Sequence, residues 1–378
     1  MIWLLFENRK NVIAGLILVF YSASVMAAPS ERPHILVILA DDLGWNDVGY
    51  HGSPIETPHI DRIANEGIEL DRFYVQPSCS PTRAALMTGK VPMRLGIYRP
   101  LSKHAEHSIP VDERILPQYL AERGYQRYMV GKWHLGNRKR AMLPNQRGFE
   151  HYYGSLTGGI GYWNKVHGGG YDWQRNGETV REDGYVTHLL VDEIRMLLES
   201  RDKTRPNFMY AAFHAPHLPN EAPKETEDKY AKTLATHANP VRYRHAAMVD
   251  ELDQAIGKVL AIYEEQGMLE NTLILFLSDN GGLIPPGPPE TRNAIQSVGL
   301  KAGEWFGRPV PSFPFPGLEF LASNVYDAGS DNSPLPGGKM LTAEGGVRVP
   351  AAIWWPGKLE GGQHKEQMTI ADVLPTLL

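Results

Sequence analysis

The chain has 378 residues, with 38 Lys and Arg against 43 Asp and Glu, a formal net charge of −5, and one cysteine. That balance, without any block of basic residues, excludes a sequence built to bind nucleic acid, and a single thiol excludes a disulfide framework. The length exceeds the mode for one domain but suits a large α/β enzyme. Residues 1–28 carry Arg9 and Lys10, an apolar stretch from Val12 to Val19, and the small-residue pattern Val25-Met26-Ala27. They predict a secretory signal peptide cleaved near Ala27, with the mature domain running from residue 29 to 378. The apolar run falls short of the ~20 residues that span a bilayer. No stable membrane anchor is therefore expected, and the protein is expected to be exported, periplasmic or secreted.

Five apolar runs read as buried strands: 34–40, 128–130, 208–213, 272–277 and 349–355. Four of them are near-continuous rather than alternating, which suits a sheet covered on both faces. Helical patterns lie between them. Thr57-Pro58, a cap followed by proline in the first turn, opens a helix that runs to about Glu66. Leu190, Ile194 and Leu197 mark a second helix, and Leu252, Ile256, Val259 and Tyr263 mark the longest, over roughly 243–266. This alternation predicts an α/β fold, a mainly parallel sheet with helices on both faces.

The single cysteine opens the run Cys79-Ser80-Pro81-Thr82-Arg83-Ala84-Ala85-Leu86-Met87-Thr88-Gly89. Most free cysteines are small buried hydrophobes, and that reading stands beside a chemical one. Ser80 and Pro81 read as an N-cap and first helical residue, which sets Cys79 at the mouth of a helix starting near Pro81. Such a mouth attracts anions through free N–H groups and the helix dipole. Arg83, one turn on, leans back toward the N-terminus and can reach the space around Cys79.

The first four strands also end in polar clusters: Asp41-Asp42 after the first, Lys132-Trp133-His134 after the second, His214 and His217 after the third, Asp279-Asn280-Gly281-Gly282 after the fourth. Ligands of open α/β sheets bind at the carboxyl ends of strands, so four such clusters suggest one shared site. Each has an ordinary alternative. Asp41-Asp42 can begin a loop or cap a helix, Asn280-Gly281 can form a hairpin turn, Lys132 can be solvated, and a loop histidine is usually surface. Adjacent carboxylates with an amide carbonyl are the hard oxygen donors that Ca²⁺ or Mg²⁺ requires. A divalent cation there would turn an acidic site into one that attracts an anion.

The run from Cys79 to Gly89 resembles the signature of the type I sulfatases, in which the cysteine is oxidised to Cα-formylglycine. Thr82 stands where serine is commoner and keeps the hydroxyl. The resemblance extends from about Pro33 to Leu378, through the block from Leu39 to Gly49, Gly131-Lys132-Trp133-His134-Leu135-Gly136, Ser278-Asp279-Asn280-Gly281-Gly282, and Lys339 with Glu344-Gly345-Gly346-Val347-Arg348. It is similar above all to the arylsulfatase B-like (N-acetylgalactosamine-4-sulfatase) branch. The resemblance implies an alkaline-phosphatase-like fold and a sulfuric ester hydrolase acting on a sulfated saccharide or aryl sulfate. Asp41, Asp42, Asp279, Asn280 and the modified Cys79 would bind Ca²⁺, in preference to Mg²⁺. Arg83, Lys132 and Lys339 would hold the sulfuryl oxygens, His217 would protonate the leaving oxygen, and His134 would help to deprotonate the formylglycine hydrate. A formylglycine-generating maturation enzyme would be a necessary partner.

Two features depart from that family. Residues 283–328 form a long insertion rich in Pro, Gly and aromatics, including Trp305, Phe306, Phe313, Phe315 and Phe320. It reads equally as a wall over the leaving-group pocket and as a surface excursion. The antiparallel C-terminal subdomain usual in the family is expected to be missing, because the chain stops at Leu378 within an apolar helix pattern. Two rival functions share these residues: a formylglycine-dependent phosphonate or phosphate-diester hydrolase, and an inactive protein that binds sulfated glycans.

Overall fold

The computed structural model describes residues 32–168, 170–234, 241–284 and 328–378. The expected leader (1–28) and nearly all of the 283–328 stretch, with its five aromatic residues, lie outside the described residues. In chain order the strands are β1 (His34–Ala40), β2 (Ile68–Leu70), β3 (Phe73–Tyr74), β4 (Gln126–Gly131), β5 (His151–Gly154), β6 (Val166–His167), β7 (Gly170–Tyr171), β8 (Gln174–Arg175), β9 (Glu178–Thr179), β10 (Asn207–Ala212), β11 (Thr272–Ser278), β12 (Ala351–Trp354), β13 (Gly362–His364) and β14 (Met368–Thr369). The principal helices are α1 (Pro58–Glu66), α2 (Cys79–Thr88), α3 (Leu116–Glu122), α4 (Val186–Ser200), α5 (Lys224–Ala231) and α6 (Arg242–Glu265).

Ten strands form one mixed sheet in the order β13-β2-β12-β11-β1-β10-β4-β5-β8-β9. Its centre, β11-β1-β10-β4-β5, is parallel. The alternation along β1 shows why that centre reads as a continuous apolar run. Leu36 and Ile38 enter the core shared with α1, α4 and α6, whereas Ile35, Val37 and Leu39 enter the core shared with α2 and α3. Both faces are covered, so the positions from Ile35 to Ala40 are all apolar. The strand predicted at 349–355 is β12, which runs antiparallel to β11. A buried strand has the same composition in either direction, so its sense is set by the connection that leads into it.

Two helix starts differ from expectation. Helix α2 begins at Cys79, with Ser78 in the capping position, so Pro81 lies in the first turn rather than at its opening. Proline is compatible with both places, because first-turn N–H groups lack intrahelical partners. Ser80 makes no cap; its hydroxyl donates to the His134 carbonyl and accepts from the Leu101 N–H. At α1, Thr57 makes no cap either, and its hydroxyl bonds Asp61 instead. The free N–H groups of His59 and Ile60 are taken by Asp253 of α6, at 3.0 and 2.8 Å.

Candidate active site

Parallel strands end on one edge, and the side chains that follow them meet there. Asp41 and Asp42 leave β1, Lys132 leaves β4, His214 and His217 follow β10, and Asp279 and Asn280 leave β11. Helix α2 brings Cys79 to the same edge: its sulfur lies 3.5 Å from Asp41 Oδ1 and 3.9 Å from Asp42 Oδ1. Asp41, Asp42, Cys79 and His217 each present a ligand atom, all within 4.8 Å of one another. Asp42 and His134 sit at positive φ, 69° and 56°, a conformation non-glycine residues avoid unless surroundings impose it.

The carboxylates are matched by cations. Lys132 Nζ lies 2.5 Å from Asp41 Oδ2, and Lys339 Nζ lies 2.6 Å from Asp42 Oδ2. Arg83 is fully buried; its Nε donates to Asp279 Oδ2 at 2.9 Å, its Nη1 to the Lys132 carbonyl at 2.8 Å, and its Nη2 is 3.7 Å from Asp41. Arg83 therefore ties Asp279 to the end of β4 as well as standing near Cys79. Lys339 reaches the site because its N–H bonds the Gly282 carbonyl while the next N–H, of Met340, bonds Pro77. That crossing needs two glycine pairs face to face: a methyl group on Gly281 would lie 1.8 Å from the Gly345 carbonyl oxygen.

Burial and these neighbours set the proton inventory. Asp42 resists the upward push of burial because Lys339 and His217 hold it well below the carboxylate range. Asp279 moves the other way, to about 6, through burial and the adjacent Asp41 charge. Burial, with Asp279 alongside, pushes the Cys79 thiol up to about 12. A thiol so placed stays protonated and is a poor nucleophile. Burial and Lys339 depress His217 to about 3, and burial and Lys132 hold His134 well below its ordinary value. His217 donates from Nδ1 to the Leu218 carbonyl at 2.7 Å, and its Nε2 faces Asp42 Oδ2 at 3.6 Å. His134 donates from Nε2 to the Leu101 carbonyl at 2.8 Å, leaving Nδ1 buried without a hydrogen-bond partner.

The donor set fits a hard divalent cation. Asn280 donates from Nδ2 to Asp42 Oδ1 at 2.8 Å and to the Gly281 carbonyl, and its Oδ1 is buried with no hydrogen-bond partner. A bare buried acceptor costs about 1–3 kcal/mol unless a ligand engages it. Asp279 Oδ1 accepts only a long bond, 3.3 Å, from the Asp42 N–H.

Among the neighbours, His214 follows β10 where the sequence indicated it, whereas His167 and Thr157 had no sequence signal. His214, of unassigned role in the sequence, is buried with Nε2 2.6 Å from the Ser155 hydroxyl and Nδ1 unpartnered. His167 lies on the β6–β7 hairpin, far from any strand-end motif. Thr157 donates to Asp172 at 2.6 Å, so its oxygen accepts from His167 Nδ1–H at 2.9 Å. A methyl group on Gly159 would stand 3.4 Å from both His167 Nε2 and His217 Cε1, so the two rings flank one gap.

A family model described as Sulfatase matches residues 33–378. The chain belongs to the sulfatase family. It is 34% identical to arylsulfatase J of Mus musculus over 361 residues, covering 93% of this chain and 53% of that protein. It is 32% identical to N-acetylgalactosamine-6-sulfatase of Homo sapiens over 372 residues, covering 92% of this chain and 62% of that protein. The chain thus spans between about half and two thirds of the length of these relatives. Among solved structures, that of Ps i-CgsB superposes with a TM-score of 0.75 at 31% identity, covering 92% of this chain and 71% of the other. The PsFucS1 sulfatase from Pseudoalteromonas sp. follows with a TM-score of 0.70 at 27% identity, over 92% and 67% of the two chains. The ten-stranded mixed sheet with flanking helices is the alkaline-phosphatase-like fold of these sulfatases.

Proposed function

We propose that the chain hydrolyses a sulfate monoester on a sulfated saccharide, with Cys79 matured to Cα-formylglycine and Ca²⁺ held by Asp41, Asp42, Asp279, Asn280 and position 79. The observation that carries this reading is the convergence of Asp41, Asp42, Cys79 and His217 within 4.8 Å, with three cations paired to the surrounding carboxylates. One of the solved structures similar to this chain is Ps i-CgsB in complex with k-i-k-neocarrahexaose, at 30% identity, which supports a saccharide as the substrate class.

Bound calcium would supply positive charge for the sulfuryl oxygens, and the formylglycine hydrate an oxygen nucleophile that can later expel sulfate. The chain's own residues do the rest. Lys132, Lys339 and Arg83 pair with the carboxylates and fix them, so the site is organised before substrate arrives. His217 Nε2 is a lone pair in this arrangement, since Nδ1 carries the proton bonded to Leu218. An incoming sulfate ester places negative charge beside it, which raises its affinity for the proton that the leaving oxygen requires. His134 Nδ1, bare and buried, is the matching base for the hydrate. The leader pattern at residues 1–28 supports export, and no helix among the described residues is long and apolar enough to cross a membrane.

The test is expression with a formylglycine-generating enzyme, followed by assay of 4-nitrophenyl sulfate beside bis-4-nitrophenyl phosphate. Sulfate release well above phosphodiester cleavage, with an aldehyde at position 79 by intact mass, is the expected result. Faster phosphodiester cleavage, or activity from protein carrying only the thiol, overturns it.

A further inference from the structure

Beside the nucleophile helix lies a surface that the reaction does not use. The loop around 99–107 is anchored at Leu101, whose N–H donates to Ser80 Oγ at 3.0 Å and whose carbonyl accepts from His134 Nε2 at 2.8 Å. The loop around 136–140 leaves His134 directly and is fastened to the first: Asn137 Nδ2 donates to the Lys103 carbonyl at 3.1 Å, and Gly136 abuts Ser108. Together they carry Arg99, Lys103, His104, Arg138, Lys139 and Arg140, all exposed except the half-buried Lys103. Lys103 bonds the Gly168 carbonyl next to His167, which joins this surface to the mouth of the site. Arg138 is four residues from His134, so its Cα lies within ~14 Å of that of the histidine.

On these two loops Arg99, Lys103, Arg138, Lys139 and Arg140 stand against a single acidic residue, Glu106. Several exposed cations elsewhere are paired, as in Arg62–Glu66, Lys90–Glu113 and Arg195–Glu265. Here the carboxylate within reach is Glu106, 3.5 Å from Arg138. Arg99, Lys139 and Arg140 make no ion pair among the described residues. In a chain of net charge −5, the consecutive Arg138, Lys139 and Arg140, with the Lys103 backbone tied to Asn137 beside them, produce a local positive field. A singly sulfated sugar seated at Cys79 has nothing to offer that field. A polymer with sulfate groups at intervals presents its next sulfates there.

We infer that loops 99–107 and 136–140 form a cationic track for the flanking sulfates of a multiply sulfated polysaccharide, so that polymer is preferred over a singly sulfated sugar. This rests on the sulfate-ester reading of the site. The cations stay hydrated, so they act through field and on-rate rather than by desolvated contact, and their effect weakens with salt.

The test uses the doubly reversed variant Lys139→Glu with Arg140→Glu, and the charge-keeping variant Lys139→Arg with Arg140→Lys. Each is made in the Cys79→Ala background for calorimetric binding of a heparin hexasaccharide, and in the matured enzyme for turnover of 4-nitrophenyl sulfate. Reversal is expected to weaken hexasaccharide binding about tenfold or more and to flatten its salt dependence, while aryl sulfate kcat/KM stays within about twofold. The charge-keeping variant retains both. Unchanged hexasaccharide binding in the reversed variant, absence of binding by the parent, or an equal loss in both measurements overturns the inference. Hexasaccharide binding that depends on the track, in a parent that turns over no sulfate ester, removes the proposed activity and leaves the track standing.

Discussion

Two buried charged clusters at the same end of the sheet behave in opposite ways. Around Asp47 every demand is met: Oδ1 accepts from Arg242 and from the Asp331 N–H, and Oδ2 accepts from His245 at 2.8 Å and from the Gly44 N–H at 2.9 Å. Burial alone would raise that carboxyl, yet Arg242 and His245 hold it well below its ordinary value. Around Cys79, carboxylates and cations also pair, but Asn280 Oδ1, His134 Nδ1 and His214 Nδ1 are left bare inside the protein. A closed network fixes a loop to a helix and needs nothing further. An open one keeps donors and acceptors for a ligand, at a cost in stability that folding elsewhere must offset.

The comparison is broken most severely at position 79. Cys79→Ala is expected to abolish sulfate-ester turnover with an unchanged melting temperature; retention of more than a few per cent of parental kcat removes the covalent scheme. His217→Ala comes next. As a proton donor to the leaving oxygen it is expected to be worth about 10²–10⁴ in kcat for a sugar sulfate, and much less for 4-nitrophenyl sulfate, whose leaving group needs no proton. Equal losses on the two substrates would assign His217 to structure or metal binding instead.

Asp47→Asn probes the closed network. It leaves Arg242 and His245 buried without their counter-charge, at an expected cost of about 3–5 kcal/mol in urea unfolding, while kcat of the folded fraction is retained. A cost below about 1 kcal/mol would mean that water relieves the cluster. Calcium probes the open one: millimolar Ca²⁺ is expected to raise the melting temperature, EGTA to reverse this, and Asn280→Ala to shrink the shift measured from its own EGTA baseline. An identical calcium response in that variant would take Asn280 out of the ligand set.

The smallest effect lies away from both clusters. His34 accepts the Asn207 N–H at 3.0 Å as a neutral imidazole, and burial, with Arg201 nearby, lowers its pKa from 6.5 to about 4. The unfolded chain then binds more protons between those values, so stability present above pH 6.5 is lost as pH falls through the window, by about 3 kcal/mol at most. His34→Asn keeps an acceptor and does not titrate, so the urea midpoint should vary less between pH 7 and pH 4.5 than in the parent.

Composition and local pattern determined a good deal here. Apolar runs bounded by polar residues identified β1, β4, β10 and β11 because strands buried on both faces exclude polar side chains from their central positions. The residues that break each run, Asp41, Lys132, His214 and Asp279, were visible for the same reason: a polar side chain directly after a buried strand stands where the parallel sheet ends. Partnership was not visible. Arg83 with Asp279, Lys339 with Asp42, Asp253 with the start of α1, and His167 with Thr157 and Asp172 join residues whose neighbourhood depends on the crossing of separate chain segments. The antiparallel sense of β12 and the opening of α2 at Cys79 are of the same kind. Local sequence governs what a segment can bury, and only three-dimensional packing decides which buried charge meets which.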